Sequence, residues 1–177
     1  MYILMGLAGS GKGTQGKLLS EKLDYEYLST GDYLRTYLTE ERKAEMLKGK
    51  LLDDQEMIEI IQSFIDSLDD KTACILDGFP RTIVQASWLL EQSQKGAFKI
   101  EGLIYLDVPE SELIKRLLLR ARPDDTEESI KERFRSYKES TQPVIDLYRS
   151  ENVPIIEIAG NNSIEQVQAD IANNIKV

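Results

Sequence analysis

A glycine-rich segment near the amino terminus constrains this chain more than any other feature. Residues 6–14 read Gly-Leu-Ala-Gly-Ser-Gly-Lys-Gly-Thr, follow an apolar run at residues 2–5 and precede an amphipathic stretch. Glycines at this density permit positive φ angles and let successive backbone N–H groups converge on an anion. A helix N-terminus directly after them adds partial positive charge. The segment therefore predicts a nucleoside triphosphate site, with a plain glycine turn or an inactive nucleotide site as alternatives.

Two side chains of this segment have the chemistry of a triphosphate site. Lys12 offers a mobile positive charge that can follow the β and γ phosphates, and Thr14 offers a hydroxyl near the metal. The general phosphate-loop pattern places Ser or Thr directly after the lysine, whereas Gly13 intervenes here. The spacing Gly6-x4-Gly11-Lys12 between a strand and a helix is still a specific signal.

Composition and charge limit the cellular compartment and the binding partners that we expect. The chain has 177 residues, 41% of them apolar, which suits one domain with its own core. No stretch approaches the roughly 18 apolar residues of a membrane span, and no signal peptide precedes the first strand, so we expect a cytoplasmic protein. A net charge of −9 disfavours nucleic-acid and anionic-membrane partners. With Cys74 as the single cysteine and no histidine, a cysteine zinc site and an imidazole base are excluded.

Five short apolar runs alternate with helical patterns along the chain. The runs occupy residues 2–5, 27–28, 73–76, 103–106 and 155–158. This alternation predicts an α/β fold, with a parallel sheet covered by helices on both faces. Helices predicted over residues 32–48 and 54–68 exceed what a simple crossover between strands two and three needs. We therefore expect a small helical flap there.

Asp77 stands at the end of the third run and precedes Gly-Phe-Pro-Arg-Thr. An acidic residue at the carboxyl end of a parallel strand beside a phosphate loop can hold Mg²⁺, directly or through water. The alternative is a turn in which Asp77 caps and Gly78 bends the chain.

Four arginines gather around a predicted helix–helix joint. Arg116 and Arg120 are four residues apart, so their guanidinium groups leave the same side of one helix. Arg122 opens an Arg-Pro-Asp-Asp break, and Arg133 projects from a helix expected to start near Thr126. A single surface arginine is more often only solvated. Four of them, in an acidic chain that must hold phosphate anions, predict a lid.

With these motifs the chain resembles an adenylate kinase from its first strand to its last helix. The motifs are Gly6-x-x-Gly9-x-Gly11-Lys12-Gly13-Thr14-Gln15, Leu28-Ser29-Thr30-Gly31-Asp32-x-Leu34-Arg35, Asp77-Gly78-Phe79-Pro80-Arg81-Thr82 with Gln85, and Arg116-x3-Arg120 followed by Arg122-x-Asp124-Asp125 and Arg133. The resemblance implies one domain over residues 1–177 with a doubly wound five-stranded parallel core. The core would comprise residues 1–28, 53–115 and 134–177, with a monophosphate-binding flap over 29–52 and a very short lid over 116–133.

The resemblance also implies a role for each matched residue. ATP would be bound by Gly9, Ser10, Gly11, Lys12, Gly13, Thr14, Arg120 and the backbone of Gly160. AMP would be bound by Thr30, Arg35, Lys50, Leu51, Leu52, Gly78, Phe79, Pro80, Arg81, Gln85, Arg122 and Arg133. The catalytic groups would be Lys12, Arg81, Arg116, Arg122 and Arg133, with Mg²⁺ at Asp77.

Three positions depart from the family's pattern. Ala8 replaces the proline usual in the loop, and Asp53 stands where short-lid members usually carry proline. Only Ala121 separates Arg120 from Arg122, so the lid is shorter than the short-lid pattern. The long zinc-bearing lid is missing, and no zinc is expected.

The implied reaction is ATP plus AMP giving two ADP, catalysed by a monomer with Mg²⁺. A phosphate monoester has a second pKa of about 6, so AMP arrives ionised and needs no general base. Thr30 resembles the adenine-selecting form of its motif, but UMP and CMP remain alternative acceptors. A kinase for a small hydroxyl metabolite would need a base, for which Asp32 is the obvious candidate. The non-enzyme alternatives are a nucleotide-binding partner protein and a GTPase-like switch, although the chain has no Asn-Lys-x-Asp guanine-reading motif.

Overall fold

The computed structural model describes residues 1–37, 53–69 and 73–175. Within them the chain forms a five-stranded parallel sheet with the strand order β2-β3-β1-β4-β5. The strands are β1 Tyr2–Met5, β2 Glu26–Ser29, β3 Cys74–Asp77, β4 Gly102–Asp107 and β5 Ile155–Ala159. The predicted fold class is confirmed, and each strand lies within one residue of its predicted bounds.

The central strand β1 is buried on both faces, which explains its continuous apolar sequence. Ile3 and Met5 belong to one core layer, whereas Tyr2 and Leu4 belong to the layer on the opposite face. β1 pairs with β3 on one side and with β4 on the other. The chain leaves β1 toward β2 on one side of the sheet and leaves β4 toward β5 on the other side. The carboxyl ends of β1 and β4 therefore form the crevice in which such sheets bind ligands.

Helices cover both faces of the sheet. They are α1 Lys12–Leu23, α2 Thr30–Tyr37, α3 Asp54–Asp66, α4 Ile83–Gln94, α5 Glu110–Arg120, α6 Glu127–Ser136, α7 Gln142–Ser150 and α8 Ile164–Asn174, with a π-helical turn Tyr137–Thr141 before α7. α1 and α8 pack on one face through Leu19 and Ile171. α3, α4 and α7 pack on the other face through Ile61, Leu89 and Tyr148.

Gly16, in the middle of α1, has a structural reason that the sequence pattern does not reveal. A Cβ at this position would lie 2.5 Å from Cε2 of Tyr27 and 2.7 Å from Cδ1 of Leu4. Only glycine therefore lets α1 settle this closely on β1 and β2. The loss of helix propensity, about 1 kcal/mol relative to alanine, is offset by that packing.

The two helices between β2 and β3 differ in how much the structure describes. The helix predicted from residue 32 begins two residues earlier, as α2, and is described as far as Tyr37; the rest of the prediction, to residue 48, lies outside the described residues. α3 confirms the second helix, although it ends at Asp66. Asp53 is its N-cap and accepts a hydrogen bond from the Gln55 backbone N–H at 2.9 Å.

In the described part of the chain no helix has the length and apolar character needed to cross a membrane.

Candidate active site at the carboxyl edge of the sheet

A cavity of about 1000 Å³ opens at the carboxyl ends of the strands. Among the described residues that line it, eight are cationic and three are acidic. The cations are Lys12, Lys17, Arg35, Arg81, Arg116, Arg120, Arg122 and Arg133, and the acids are Asp32, Asp77 and Asp124. Because the whole chain carries a net charge of −9, this cavity concentrates the positive charge that attracts a polyanion.

The glycine-rich loop between β1 and α1 forms one wall of the cavity. Gly9 and Gly11 have φ angles of 87° and 99°, in the left-handed region that glycine adopts readily. A Cβ on Gly9 would lie 3.0 Å from Cγ of Leu117, so the loop also packs tightly on α5. The Ser10 hydroxyl is buried without a hydrogen-bond partner among the described residues. The loop presents its backbone at the N-terminus of α1, as a phosphate site requires.

Lys12 folds back over this loop. Its Nζ donates hydrogen bonds to the carbonyl oxygens of Gly6 at 2.7 Å and Leu7 at 3.0 Å. Burial lowers the pKa of Lys12 from 10.5 to about 8, the Asp77 carboxylate opposes the decrease, and nearby arginines add to it. A phosphate at this point would add negative charge beside the lysine and favour its protonated form.

Asp77 ends β3 directly beside the loop. The Tyr27 hydroxyl donates to Asp77 Oδ2 at 2.8 Å, and burial followed by the Asp77 charge raises the pKa of Tyr27, which keeps that hydroxyl protonated. Asp77 Oδ1 makes no hydrogen bond within the described residues. A Cβ on Gly13 would lie 3.9 Å from Asp77 Oδ2, so the carboxylate faces the start of α1.

These oxygen donors fit Mg²⁺ that arrives with a nucleotide. Mg²⁺ prefers oxygen ligands and commonly takes one or two protein groups together with phosphates and water. Asp77 supplies a carboxylate and Thr14 a hydroxyl, and both residues line the cavity. In the described ranges there is no group of three or more His, Cys, Asp or Glu residues that could hold a metal by itself. The protein groups can thus contribute to a metal site that the nucleotide completes.

The opposite wall is built by the segment after β3. The buried Thr30 hydroxyl donates to the Asp77 carbonyl at 3.1 Å, and Arg81 Nε donates to the Gly78 carbonyl at 2.7 Å. The Thr141 hydroxyl donates to the Arg81 carbonyl at 2.9 Å. Gly78 has a φ of 84°, and a Cβ there would lie 2.6 Å from Thr30 Oγ1. Glycine is therefore required for this wall to bring Thr30 and Arg81 together.

Asp32 and Arg35 form an ion pair on α2 at this wall. Arg35 Nη2 lies 2.6 Å from Asp32 Oδ1. Burial acts to raise the pKa of Asp32, but the hydrogen bond and charge of Arg35 outweigh it and lower the pKa. A carboxylate stabilised in this way is a weak base, so the geometry disfavours the alternative of a hydroxyl acceptor deprotonated by Asp32.

The predicted lid is a compact turn organised around Asp125. Arg120 donates to both carboxylate oxygens at 2.7 and 2.8 Å, Arg133 donates to Oδ1 at 2.9 Å, and the backbone N–H of Arg122 donates to Oδ2 at 3.1 Å. Burial would raise the pKa of Asp125, but the hydrogen bonds from Arg120 and Arg133 hold it at about 2. Ala121 ends α5 with a φ of 52°. The short connection thus places three arginines by sharing one carboxylate among them.

Arg116 ties the last strand to this site. Its Nη1 donates to the Gly160 carbonyl at 3.0 Å, and its Nε donates to Glu112 Oε1 at 3.1 Å. A Cβ on Gly160 would lie 3.2 Å from the Ser10 carbonyl oxygen. The residue after β5 therefore lies against the glycine-rich loop, where only a small residue fits.

Comparison with known proteins agrees with this geometry. The family profile described as adenylate kinase matches residues 4–153. A protein named adenylate kinase from Prochlorococcus marinus (strain MIT 9515) is 42% identical over 176 residues, which cover 96% of this chain and 94% of that protein. The chain belongs to the adenylate kinase family. An adenylate kinase from Leptospira biflexa is 39% identical with 98% of each chain covered, and adenylate kinase 1 of Nostoc sp. is 38% identical with 96% of this chain and 95% of that protein covered.

Membership of the adenylate kinase family confirms several predictions. The predicted family, the α/β fold class and the assignment as a phosphoryl-transferring enzyme are confirmed. Mg-dependent phosphoryl transfer is the general activity of the family. The non-enzyme alternatives therefore lose their support.

Most of the predicted site residues of this adenylate kinase family member line one cavity. The lining residues among them are Gly9, Ser10, Gly11, Lys12, Gly13, Thr14, Thr30, Arg35, Asp77, Gly78, Pro80, Arg81, Gln85, Arg116, Arg120, Arg122, Arg133 and Gly160. Phe79 differs, because its side chain is 1% exposed and packs edge-on against Trp88 with ring centroids 6.2 Å apart. Lys50, Leu51 and Leu52 lie outside the described residues.

Several cavity residues are absent from the sequence-based prediction. Leu34, Met57 and Tyr137 line the cavity from three separate elements. Each belongs to an apolar helical stripe, and such a pattern does not distinguish a core side chain from one that lines a cavity. Asp124 also lines the cavity, and its position in the Arg-x-Asp-Asp motif could have indicated it.

Proposed function

We propose that this protein transfers the γ-phosphoryl group of MgATP to AMP and forms two ADP molecules. The observation that carries the proposal is the shared cavity, which has the phosphate loop on one wall and the Thr30–Gly78–Arg81 wall on the other. Its volume of about 1000 Å³ lies at the top of the range of roughly 300–1,000 Å³ for small-molecule sites. Such a space suits two nucleotides placed end to end.

The ATP side of the proposal rests on the phosphate loop. Gly9, Ser10, Gly11, Lys12, Gly13 and Thr14 would hold the phosphates, Arg120 would lie by the base, and the Gly160 backbone would contact the adenine. The packing of Gly160 against the loop supports this arrangement. When bound, Mg²⁺ would neutralise phosphate charge, with Asp77 and Thr14 as its nearest protein oxygens.

The AMP side rests on the wall formed after β3. AMP would contact Thr30, Arg35, Gly78, Pro80, Arg81, Gln85, Arg122 and Arg133, together with the Phe79 backbone. Lys50, Leu51 and Leu52 stay a prediction as further AMP contacts. A Cβ on Gly78 would lie 2.6 Å from Thr30 Oγ1, so this wall requires glycine at that position.

The chain's own groups account for the chemical step by positioning and charge. An ionised oxygen of the AMP phosphate forms a bond to the γ phosphorus, and the bond from that phosphorus to the β–γ bridging oxygen breaks, leaving on ADP. Lys12, Arg81, Arg116, Arg122 and Arg133 would neutralise the charge on the transferred group. No general base is required, because the nucleophile is already deprotonated at neutral pH.

We further propose a flap over residues 29–52 and a lid over residues 116–133, with the core made by the rest of the chain. We also propose a monomer in the cytoplasm, because both are typical of the family to which the chain belongs. Nucleic acid and membranes are not expected partners of so acidic a chain.

A coupled assay that compares AMP, CMP, UMP and GMP with MgATP tests this function. We expect AMP to give the highest kcat/KM and Lys12→Met to lower kcat at least a hundredfold, or about 3 kcal/mol, with the fold intact by circular dichroism. A higher kcat/KM for UMP or CMP would assign a pyrimidine monophosphate kinase instead. Near-normal turnover by the Lys12→Met variant would overturn the site assignment.

A further inference from the structure

The side-chain amide of Gln85 is held at both of its ends. Gln85 lies in the first turn of α4, is 2% exposed and lines the cavity. Its Oε1 accepts a hydrogen bond from the Arg81 backbone N–H at 2.7 Å, and its Nε2 donates to Asp54 Oδ1 at 2.8 Å. The amide therefore has a defined orientation before any ligand binds.

The chemistry of the two partners determines that orientation. A carboxylate at neutral pH only accepts hydrogen bonds, and a backbone N–H only donates them. Rotating the amide by 180° would set Gln85 Oε1 against Asp54 Oδ1 and Nε2 against the Arg81 N–H. Both hydrogen bonds would then be lost, and two buried groups would face groups of the same polarity.

Asp54 is itself fixed in place. It occupies the first turn of α3, directly after the N-cap Asp53. The Thr82 hydroxyl donates to the same Asp54 Oδ1 atom at 2.8 Å, and Thr82 is the N-cap of α4. The carboxylate thus joins the first turns of two helices, so its position does not depend on a flexible side chain reaching across solvent.

The amide retains one free donor and one free acceptor. Nε2 has two hydrogens and Oε1 has two lone pairs, and one of each is used by Asp54 and Arg81. The remaining N–H and lone pair can pair with a base that offers one acceptor next to one donor. Adenine has an amino donor at position 6 beside the N1 acceptor, whereas guanine and hypoxanthine have an oxo acceptor at position 6 beside an N1–H donor.

We propose that Asp54 is a positioning residue that fixes the Gln85 amide in the orientation that accepts a 6-amino purine and rejects a 6-oxo purine. This inference rests on the proposed function, in which Gln85 contacts the base of the acceptor monophosphate. With Oε1 held toward position 6, adenine pairs twice, whereas a 6-oxo purine sets two acceptors and two donors against each other. Rejection then requires no steric barrier, because mismatched polar groups in a buried site are penalised directly.

The test is the ratio of kcat/KM for AMP to that for GMP and for IMP, measured with MgATP and the 177-residue chain. Asp54→Asn keeps the shape but can donate as well as accept, so rotating the amide then breaks one pairing instead of two. We expect the AMP preference to fall by roughly tenfold or more, mainly through improved KM for GMP and IMP. Asp54→Ser, whose hydroxyl also donates and accepts, is a second variant with the same expected direction should Asp54→Asn fold poorly.

Asp53→Asn is the matched control. It removes the same charge one residue earlier, keeps an N-cap side chain, and does not contact Gln85, so the ratio should stay at the wild-type value. Equal losses for AMP, GMP and IMP in both Asp54 variants, with the ratio unchanged, would show a purely structural role and overturn the proposal. Failure of the underlying function gives a different result, namely that wild-type protein does not prefer AMP or that Gln85→Leu leaves the AMP KM unchanged.

Discussion

The hydroxyl of Tyr27 donates a hydrogen bond of 2.8 Å to Asp77 Oδ2. This bond links β2, which carries Tyr27, to the carboxylate at the end of β3 that is expected to bind the metal. The Tyr27 ring is packed so closely under α1 that Gly16 has no room for a side chain. The hydroxyl therefore cannot move away without displacing the helix that begins at the phosphate loop. Tyr27 therefore holds Asp77 Oδ2 in place, whereas Oδ1 makes no hydrogen bond within the described residues.

Replacing Tyr27 with phenylalanine tests this relationship. Asp77 would lose its orienting donor, and outer partners of metal ligands typically contribute tenfold or more to metal affinity. We expect Tyr27→Phe to raise the Mg²⁺ concentration for half-maximal rate by about tenfold, with a smaller effect at saturating Mg²⁺. Tyr25→Phe is the control, since Tyr25 stacks on Tyr2 instead. An unchanged Mg²⁺ dependence in Tyr27→Phe would contradict the orienting role.

The pKa of Lys12 predicts how ATP binding depends on pH. Burial lowers that pKa to about 8 in the free protein, so the lysine is charged below pH 8 and loses its proton above it. Bound phosphates favour the charged form, so ATP affinity should weaken as pH rises through about 8. Calorimetric titration with a non-hydrolysable MgATP analogue from pH 7 to pH 9.5 measures this effect. The Lys12→Met variant should bind weakly with no comparable slope, and an identical slope in both proteins would assign the titration to another group.

Asp125 should contribute to stability in a pH-dependent way. Its pKa is about 2 in the folded protein, below the ordinary value of 3.8, so its contribution is fully present above about pH 4 and is lost as pH falls toward 2. Asp125→Asn should lower the free energy of unfolding at pH 7 by about 2–4 kcal/mol, because two arginines lose a shared buried carboxylate. Urea denaturation at pH 7, 5 and 3.5 should show the difference from wild type shrinking at the lowest pH. Asp146→Asn, at an exposed ion pair with Arg149, should cost less than about 1 kcal/mol.

Two glycines of α1 should respond differently to alanine. At Gly16 a Cβ would lie 2.5 Å from the Tyr27 ring, so Gly16→Ala should lower the unfolding free energy by about 1–3 kcal/mol despite the better helix propensity. At Gly13 the nearest atoms to a Cβ are 3.8 and 3.9 Å away, so Gly13→Ala should keep stability but weaken ATP binding at the loop. Thermal unfolding and the KM for MgATP separate the two outcomes. Equal stability of both variants would refute the packing explanation for Gly16.

The short lid should make Arg122 and Arg133 interdependent. The backbone of Arg122 and the side chain of Arg133 are both bound to Asp125, so removal of either disturbs the turn that places the other. We expect Arg122→Ala and Arg133→Ala to be strongly non-additive in kcat. A lid without a hairpin should also admit water, which predicts detectable ATP hydrolysis without AMP that a bisubstrate analogue suppresses. Additive losses in the double-mutant cycle, together with no hydrolysis above background, would rule out this account.

The strands, the phosphate loop and the position of Asp77 could be predicted because they depend on local sequence. Apolar runs buried on both faces of a parallel sheet leave an unambiguous pattern, and the glycines, Lys12 and Asp77 follow from the chemistry of phosphate and Mg²⁺. The arginines of the lid could be proposed as a group. Their sharing of Asp125 could not, since a sequence shows which charges are present but not which of them meet.

Long-range contacts decided the rest. From the sequence alone, Gly16 only lowers the helix propensity of α1. The structure explains it, because Tyr27 and Leu4 leave no room for a side chain there. Gln85 reads as a residue able to hydrogen-bond a base, but only the approach of Asp54, from a helix 31 residues away in the chain, orients its amide. Residue type and spacing are enough to predict which elements form and which phosphate chemistry is available. The pairing of polar groups could be learned only from the folded chain, because it depends on distances between segments that are remote in sequence.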